Sequence, residues 1–380
     1  LFIRNIATTL MKNLESSWKE KTDFWANNAI NYVYSIAYKC YKEREKGIGT
    51  LAHVIAFALS DSDLVFRWLS EDPEIALNMS SMLTAWRLGA QQQTAGAVSS
   101  AQTPLVLLNN KYIFWVLSPL PEEEFSLDIT NREHPTLLCI GNAPSIKEAV
   151  SPPISCIASV IMSQMNNPGK QKSIFMVDEF PTINLQNIDV FIGTARKHYV
   201  ATILALQDDN QAVRDYGKDS AKILKASCGT QAFGMTGNDT TAKEVESLFG
   251  EMKEAQESFS HQDSGNSSTT ESLQKDKIVK ARDVAGQSVG HFIGKIADGN
   301  PPFFNAQFNM CKFMEKEIPP FSLPVSFGAA EYRDKEIEIM EEIVQRQYYS
   351  VLTIVNRILE QVKNKYTQKK ENTEAIPMES

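Results

Sequence analysis

The ten residues Ser173-Ile174-Phe175-Met176-Val177-Asp178-Glu179-Phe180-Pro181-Thr182 run from an apolar stretch straight into two adjacent carboxylates and a proline. An unbroken apolar run bounded by turn formers predicts a strand buried on both faces, as in a parallel sheet. Asp178 and Glu179 then stand at the strand's carboxyl end, where open α/β sheets place their ligands. Neighbouring carboxylates repel each other, so the pair points to a use. One acid suits a hard cation such as Mg²⁺ held through its water shell; the other suits polarising an attacking water. Apolar strands also end in acidic turns that do no chemistry, so the pair alone is a weak signal.

Residues downstream of the pair strengthen the signal. Leu185 to His198 reads as a helix ending in Arg196-Lys197-His198, and Val200 to Leu206 is a second apolar run closed by Gln207-Asp208-Asp209. Strand, helix, strand implies a right-handed crossover. Gln207 is therefore expected at the same edge as the carboxylates, where its amide reaches a γ-phosphate or orients a water. Arg196, near the end of the intervening helix, offers a guanidinium to phosphate in its own subunit or a neighbour's. The four side chains are expected to converge at one rim of one sheet.

In order, V-D-E-F-P-T (177–182), T-A-R-K-H-Y-V-A-T (194–202), L-A-L-Q-D (204–208) and D-Y-G (215–217) resemble the type IV coupling proteins of bacterial conjugation. These are the TraG/TraD-type DNA-pumping ATPases, and the likeness is strongest to the mobilisation type of Bacteroidetes elements. The resemblance covers most of residues 1–310 and fades in the tail. It implies an α/β fold: a RecA-like P-loop NTPase core, mostly parallel sheet with helices on both faces, plus an all-α domain. It also implies ATP and Mg²⁺, with Asp178 and Glu179 as the Walker B pair, Asp178 on the metal, Arg196 as arginine finger and Gln207 as γ-phosphate sensor. A homo-hexamer at the cytoplasmic face of the inner membrane is implied, with relaxase, single-stranded DNA and the type IV secretion channel as partners.

Composition sets bounds on this reading. The 380 residues suffice for one large or two medium domains, and the formal net charge of −8 is unlike a DNA coat. Any nucleic-acid contact is then local, such as a lined channel. Cys40, Cys139, Cys156, Cys228 and Cys311 are scattered, without metal-ligand spacing, and read as reduced, buried thiols of a cytosolic compartment. No apolar stretch reaches the roughly 18 residues of a membrane span. No G-x-x-x-x-G-K-[ST] loop is found, and the first residue is Leu1. A truncated chain is expected, with the phosphate-gripping loop and the membrane anchor upstream, so that this fragment alone is inactive. A non-catalytic relaxase-docking fragment or paralogue is the alternative, followed by a related DNA-translocating ring ATPase.

Four regions are expected: 1–21, the end of the first part of the motor; 22–102, an all-α domain; 103–312, the motor; and 313–380, a C-terminal helix and tail. Thr22 or Asp23 caps a helix with an apolar stripe from Ile30 to Tyr41, stopped at Gly47. Pro73 opens a long helical segment to Leu88. Phe24, Trp25, Trp68 and Trp86 read as core. Leu105–Leu108, Tyr112–Leu117 and Thr136–Gly141 read as strands, and Ser145–Met165 as a helix whose first part Pro152-Pro153 breaks. Residues 255–276, His261 among them, read as a flexible loop or loose hairpin. Glu122, Glu123 and Glu124 form a solvated turn. A stripe from Met340 to Val362 predicts a long amphipathic helix, and Lys363, Lys365, Lys369 and Lys370 a solvated basic end.

Overall fold

Aspartates open three helices of the bundle. Asp23 accepts from the Ala26 N–H at 2.8 Å to start α2 (Phe24–Lys42); Asp61 accepts from Asp63 and Leu64 to start α4 (Ser62–Ser70). Asp72 does the same for α5 (Pro73–Asn78), whose first residue is the proline that needs no hydrogen-bond acceptor there. The computed structural model describes residues 1–19, 22–120, 124–142, 144–261, 267–309 and 330–374. Cys311, the acids Glu122 and Glu123, and the side chains of His261, Lys369 and Lys370 lie outside them.

The described chain forms two units. One contains Leu1–Leu206, Arg214–Lys218 and the C-terminal helix; the other contains Gln207–Val213 and the residues from Asp219 to 309. These units cut across the expected region boundaries. In the first unit α1 (Phe2–Leu14), α2, α3 (Leu51–Ala58), α4, α5, α6 (Ser80–Arg87) and α7 (Gln91–Leu105) share one core. Phe57 and Trp68 stack at its centre, 4.2 Å apart and 9° from parallel. The C-terminal helix α15 (Ala330–Glu374) closes this core with Val351, Val355, Ile358, Leu359 and Val362, so its stripe packs on the bundle.

Several expectations need correcting. The segment from Pro73 to Leu88 is two helices that meet at Met79, not one. Leu105–Leu108 and Tyr112–Leu117 are not strands: they are the end of α7, a 3-10 turn and α8 (Lys111–Leu117). The Asn110 side chain caps α8 through the Tyr112 N–H, and Phe114 packs on Tyr348 of α15. Thr136–Gly141 is irregular, with Leu137 90% exposed. Helix α9 (Lys147–Met165) runs through Pro152 and Pro153. Phe24 and Trp25 are 55% and 43% exposed; Trp25 lies across Gly96, where a Cβ would stand 2.9 Å from the ring. Trp68 is core. Of the described cysteines Cys40 and Cys156 are buried, Cys228 is half-buried and Cys139 is exposed.

Strand β1 (Ser173–Val177) pairs in parallel with β2 (Val200–Leu204), Ser173 opposite Val200 and Val177 opposite Leu204. Between them run α10 (Ile188–Ala195) and a 3-10 turn, Arg196–His198. Phe175 faces α10 and meets Phe191 ring to ring at 5.5 Å. The opposite face is open, with Ile174 and Met176 each 64% exposed, so β1 is not buried on both sides.

After α11 (Asp209–Tyr216) and α12 (Lys218–Ser227), the second unit holds β3 (Gln231–Phe233), α13 (Asp239–Phe249), the hairpin β4 (Glu251–His261) and β5 (Ser267–Lys277), α14 (Ala281–Ala285), β6 (His291–Lys295) and β7 (Phe303–Gln307). Its three-stranded sheet is antiparallel, in the order β3-β6-β7. Gly294 is required there: a Cβ would meet the Gln231 carbonyl oxygen at 2.0 Å and the Phe304 ring at 2.7 Å. Val245, Phe249, Val279, Val284 and Ile293 form the core of this unit.

Candidate functional site

Strand β1 delivers its carboxylates into a turn with unusual backbone. Glu179 is left-handed, at φ 50° and ψ 45°, a conformation that costs a non-glycine residue about 1 kcal/mol. The Asp178 carboxylate accepts the Glu179 N–H at 3.0 Å, which helps hold the twist. Asp178 is exposed and Glu179 half-exposed. The next residue anchors the turn to the neighbouring strand, because the Phe180 N–H donates to the Ala205 carbonyl at 2.8 Å while Ala205 N–H donates to Val177 at 2.9 Å. A 3-10 turn, Phe180–Thr182, comes next with Pro181 near its start, and the Thr182 N–H closes back on the Glu179 carbonyl at 2.8 Å.

A second layer braces the turn. The Tyr216 hydroxyl donates to the Ile183 carbonyl at 2.8 Å and accepts the Leu185 N–H at 3.0 Å, and its ring stacks on Phe180 at 4.7 Å. Burial pushes that hydroxyl well above the ordinary tyrosine range, so it stays protonated and able to donate. Asn184, between the two bridged residues, is buried and donates its side-chain amide to the Asp215 carbonyl at 2.9 Å. In the sequence Asp215-Tyr216-Gly217 stands out only as part of a resemblance, with no task of its own. The usable signal was an aromatic with a polar tip beside a turn that needs hydrogen bonds.

Arg196 is elsewhere. It opens the 3-10 turn just before β2, and the Tyr199 carbonyl accepts the Ser173 N–H at 3.2 Å. Arg196 therefore belongs to the rim where β1 and β2 begin, while Asp178 and Glu179 belong to the rim where β1 ends. A five-residue strand separates the two rims by roughly 15 Å. The expectation that Arg196 joins the carboxylates at one rim of its own sheet is incorrect, because the helix carrying it returns the chain to the start of the sheet. Its guanidinium is exposed.

Beyond its last residue, β2 continues through Ala205 and Leu206 to Gln207, the first residue of the second unit. In that unit Gln207, Asp208, Asn210, Thr236, Gly237 and Asn238 line a polar cleft. The Asn238 side chain caps α13 and donates to Asp208 at 2.9 Å. Lys225 meets Asp209 and Glu244, each at 2.6 Å; burial lowers its pKa, but the two carboxylates more than offset this, and the ammonium stays charged. Thr241 adds a hydrogen bond to Asp209 at 3.2 Å. The segment after Gln207 is thus latched to α13. In the first unit Lys365 pairs with Glu71 at 2.6 Å and Lys363 with Glu360 at 3.5 Å, which fits a solvated basic end. Among the described residues no helix is long and apolar enough to cross a membrane.

Comparison with known proteins bears on all of this. The family model for type IV secretory system conjugative DNA transfer matches residues 3–280. Among solved structures, the unbound bacterial conjugative coupling protein TrwBdeltaN70 superposes with a TM-score of 0.62 at 15% identity, over 83% of this chain and 69% of that one. The plasmid coupling protein TrwB with the non-hydrolysable ATP analogue ADPNP gives 0.61 at 15% identity, over 82% and 69%. The same protein with ADP and Mg²⁺ gives 0.60 at 15% identity, over 82% and 68%. At this identity the likeness is one of fold, an α/β core with a helical domain. No curated protein matches the sequence.

Proposed function

The chain belongs to the conjugative DNA-transfer family of type IV secretory systems, and from that premise we propose that it carries the hydrolytic acids of an ATP-driven motor that moves single-stranded DNA. The observation that carries this reading is the strained turn at the carboxyl end of β1, where two carboxylates succeed a strand and the second is held left-handed. Residues held in such backbone cluster at active sites.

In this reading Asp178 is the metal residue. The donor suits Mg²⁺, which binds proteins through one or two carboxylates and keeps several waters and phosphate oxygens in its shell. Mg²⁺ supplies charge neutralisation at the phosphates. Glu179 orients and deprotonates the attacking water from the left-handed turn that follows the strand. Gln207 is the amide that senses the γ-phosphate. Arg196, exposed at the opposite rim, serves the site of a neighbouring copy in a ring, and its geometry favours that role over one in its own site. Phosphoryl transfer asks the protein for positioning and charge more than for covalent steps, and these side chains supply both. The relaxase-bound strand and the secretion channel are the partners of such a motor, and a hexameric ring at the inner membrane is the assembly.

The direct test is Glu179→Gln in the full-length protein. Nucleotide binding should persist while turnover falls by roughly 10² or more, the usual loss for a general base. Wild-type turnover in that variant removes Glu179 from the role.

A further inference from the structure

We propose that Asn13, near the end of α1, is a positioning residue for the carboxylate pair; the proposal rests on the reading of Asp178 and Glu179 as hydrolytic. The Asn13 side chain pairs with the backbone of Asn184 at two points. Its Oδ1 accepts the Asn184 N–H at 3.0 Å, and its Nδ2 donates to the Asn184 carbonyl at 2.8 Å. The amide thus does for Asn184 what the peptide group of an adjacent strand would do. The pairing is itself held in place: Nδ2 also donates to the Thr9 carbonyl at 2.8 Å, and the Ser155 hydroxyl of α9 lies 3.0 Å from Oδ1, its single proton shared with the Ser151 carbonyl at 2.8 Å.

The path from this clamp to Glu179 has little slack. Asn184 comes directly after Ile183, whose N–H donates to Phe180 at 3.3 Å, and Thr182 donates to Glu179. Left-handed backbone at a glutamate persists only where its surroundings fix it on both sides. Ala205, just past the end of β2, fixes one side, through Phe180. Asn13 and Tyr216 fix the other. Of these two, Asn13 stands on a helix that packs against α2, α7 and α9, so the carboxylate turn takes its position from the base of the helical bundle. Only a carboxamide both donates and accepts in this arrangement. A carboxylate there faces two carbonyl oxygens, and an aliphatic side chain leaves the hydrogen bonds of the buried Asn184 unmade.

The experiment compares Asn13→Ala, Asn13→Asp, Leu10→Val and Glu179→Gln in the full-length protein. Leu10 is a fully buried core residue of the same helix, and its aliphatic side chain has no polar atom to offer the clamp. For both Asn13 variants kcat should fall about ten-fold or more, since a misplaced catalytic group costs up to roughly 10². KM for ATP and the affinity for ADPNP should stay within about two-fold, because the acids act on the water rather than on nucleotide binding. Leu10→Val should lower thermal stability yet leave kcat unchanged at a temperature where all variants are folded. Asn13→Ser keeps one hydroxyl for the Asn184 N–H and should fall between wild type and Asn13→Ala; it serves if the aspartate variant does not fold. Near-wild-type kcat in Asn13→Ala beside an inactive Glu179→Gln overturns the proposal. So does a loss of kcat in Leu10→Val matched to its loss of stability. Active Glu179→Gln would instead bring down the hydrolytic reading itself, and this proposal with it.

Discussion

Replacing Tyr216 with phenylalanine removes one oxygen atom and leaves a ring that still stacks on Phe180 at 4.7 Å. That oxygen bridges two backbone groups, the Ile183 carbonyl at 2.8 Å and the Leu185 N–H at 3.0 Å, and both belong to buried residues. A net 0.5–1.5 kcal/mol for each bond gives a loss of about 1–3 kcal/mol, towards the upper end because both backbone groups sit in buried surroundings. Tyr216→Ala removes the stack as well and should cost roughly 3–5 kcal/mol. The assay is urea unfolding monitored by tryptophan emission. All five tryptophans, Trp18, Trp25, Trp68, Trp86 and Trp115, lie in the unit that contains Tyr216, so emission reports that unit. The midpoint should drop with the slope unchanged. A loss below about 0.5 kcal/mol in Tyr216→Phe means water replaces the hydroxyl, and the bracing argument fails.

Three further outcomes concern other parts of the molecule. Arg196→Ala should abolish turnover without weakening nucleotide binding, and mixing it with wild-type subunits should inhibit more than in proportion; strictly additive mixtures refute a role in trans. Burial pushes His53 from its usual 6.5 down to about 4. Its contribution is therefore full above pH 6.5, and stability falls as pH drops from 6.5 towards 4, by up to about 3 kcal/mol. His53→Gln should flatten that slope in urea midpoints at pH 7 and pH 5, whereas an unchanged slope assigns it to other groups. Gly294→Ala should force β3 and β6 apart and raise hydrogen exchange across 291–307, while exchange in α2 and α3 stays at wild-type levels; protected amides in 291–307 would refute the packing argument.

The parts of the fold that were legible in the sequence are those where local chemistry agrees with the final environment. Asp23 before an apolar stripe caps a helix, Pro73 after an aspartate opens one, though a shorter one than expected, and the two apolar runs flanking a helix pair as parallel strands, though β1 is covered on one face only. The failures share a physical cause. Leu105–Leu108 and Tyr112–Leu117 are too short for periodicity to separate a strand from a buried helix, and the deciding contacts come from α15, more than two hundred residues away. Thr136–Gly141 has a strand's composition but no strand beside it among the described residues. The carboxylate pair was visible because its chemistry is local. Its supports were not, since Asn13, Asn184 and Tyr216 are ordinary residues until the fold brings them together. Arg196 was visible by type, but its rim depends on counting one crossover, a step that side-chain chemistry alone does not supply.

The φ of 50° at Glu179 has an evolutionary corollary. Glycine would sit there without steric penalty, and asparagine nearly so, whereas this chain carries an acid against the preference of its own backbone. A lineage in which ATP turnover ceased to matter would drift at this position first, towards glycine or asparagine, before its hydrophobic core changed at all. On the hydrolytic role proposed for Glu179, the identity of this single residue in related chains is a readout of whether selection still acts on hydrolysis.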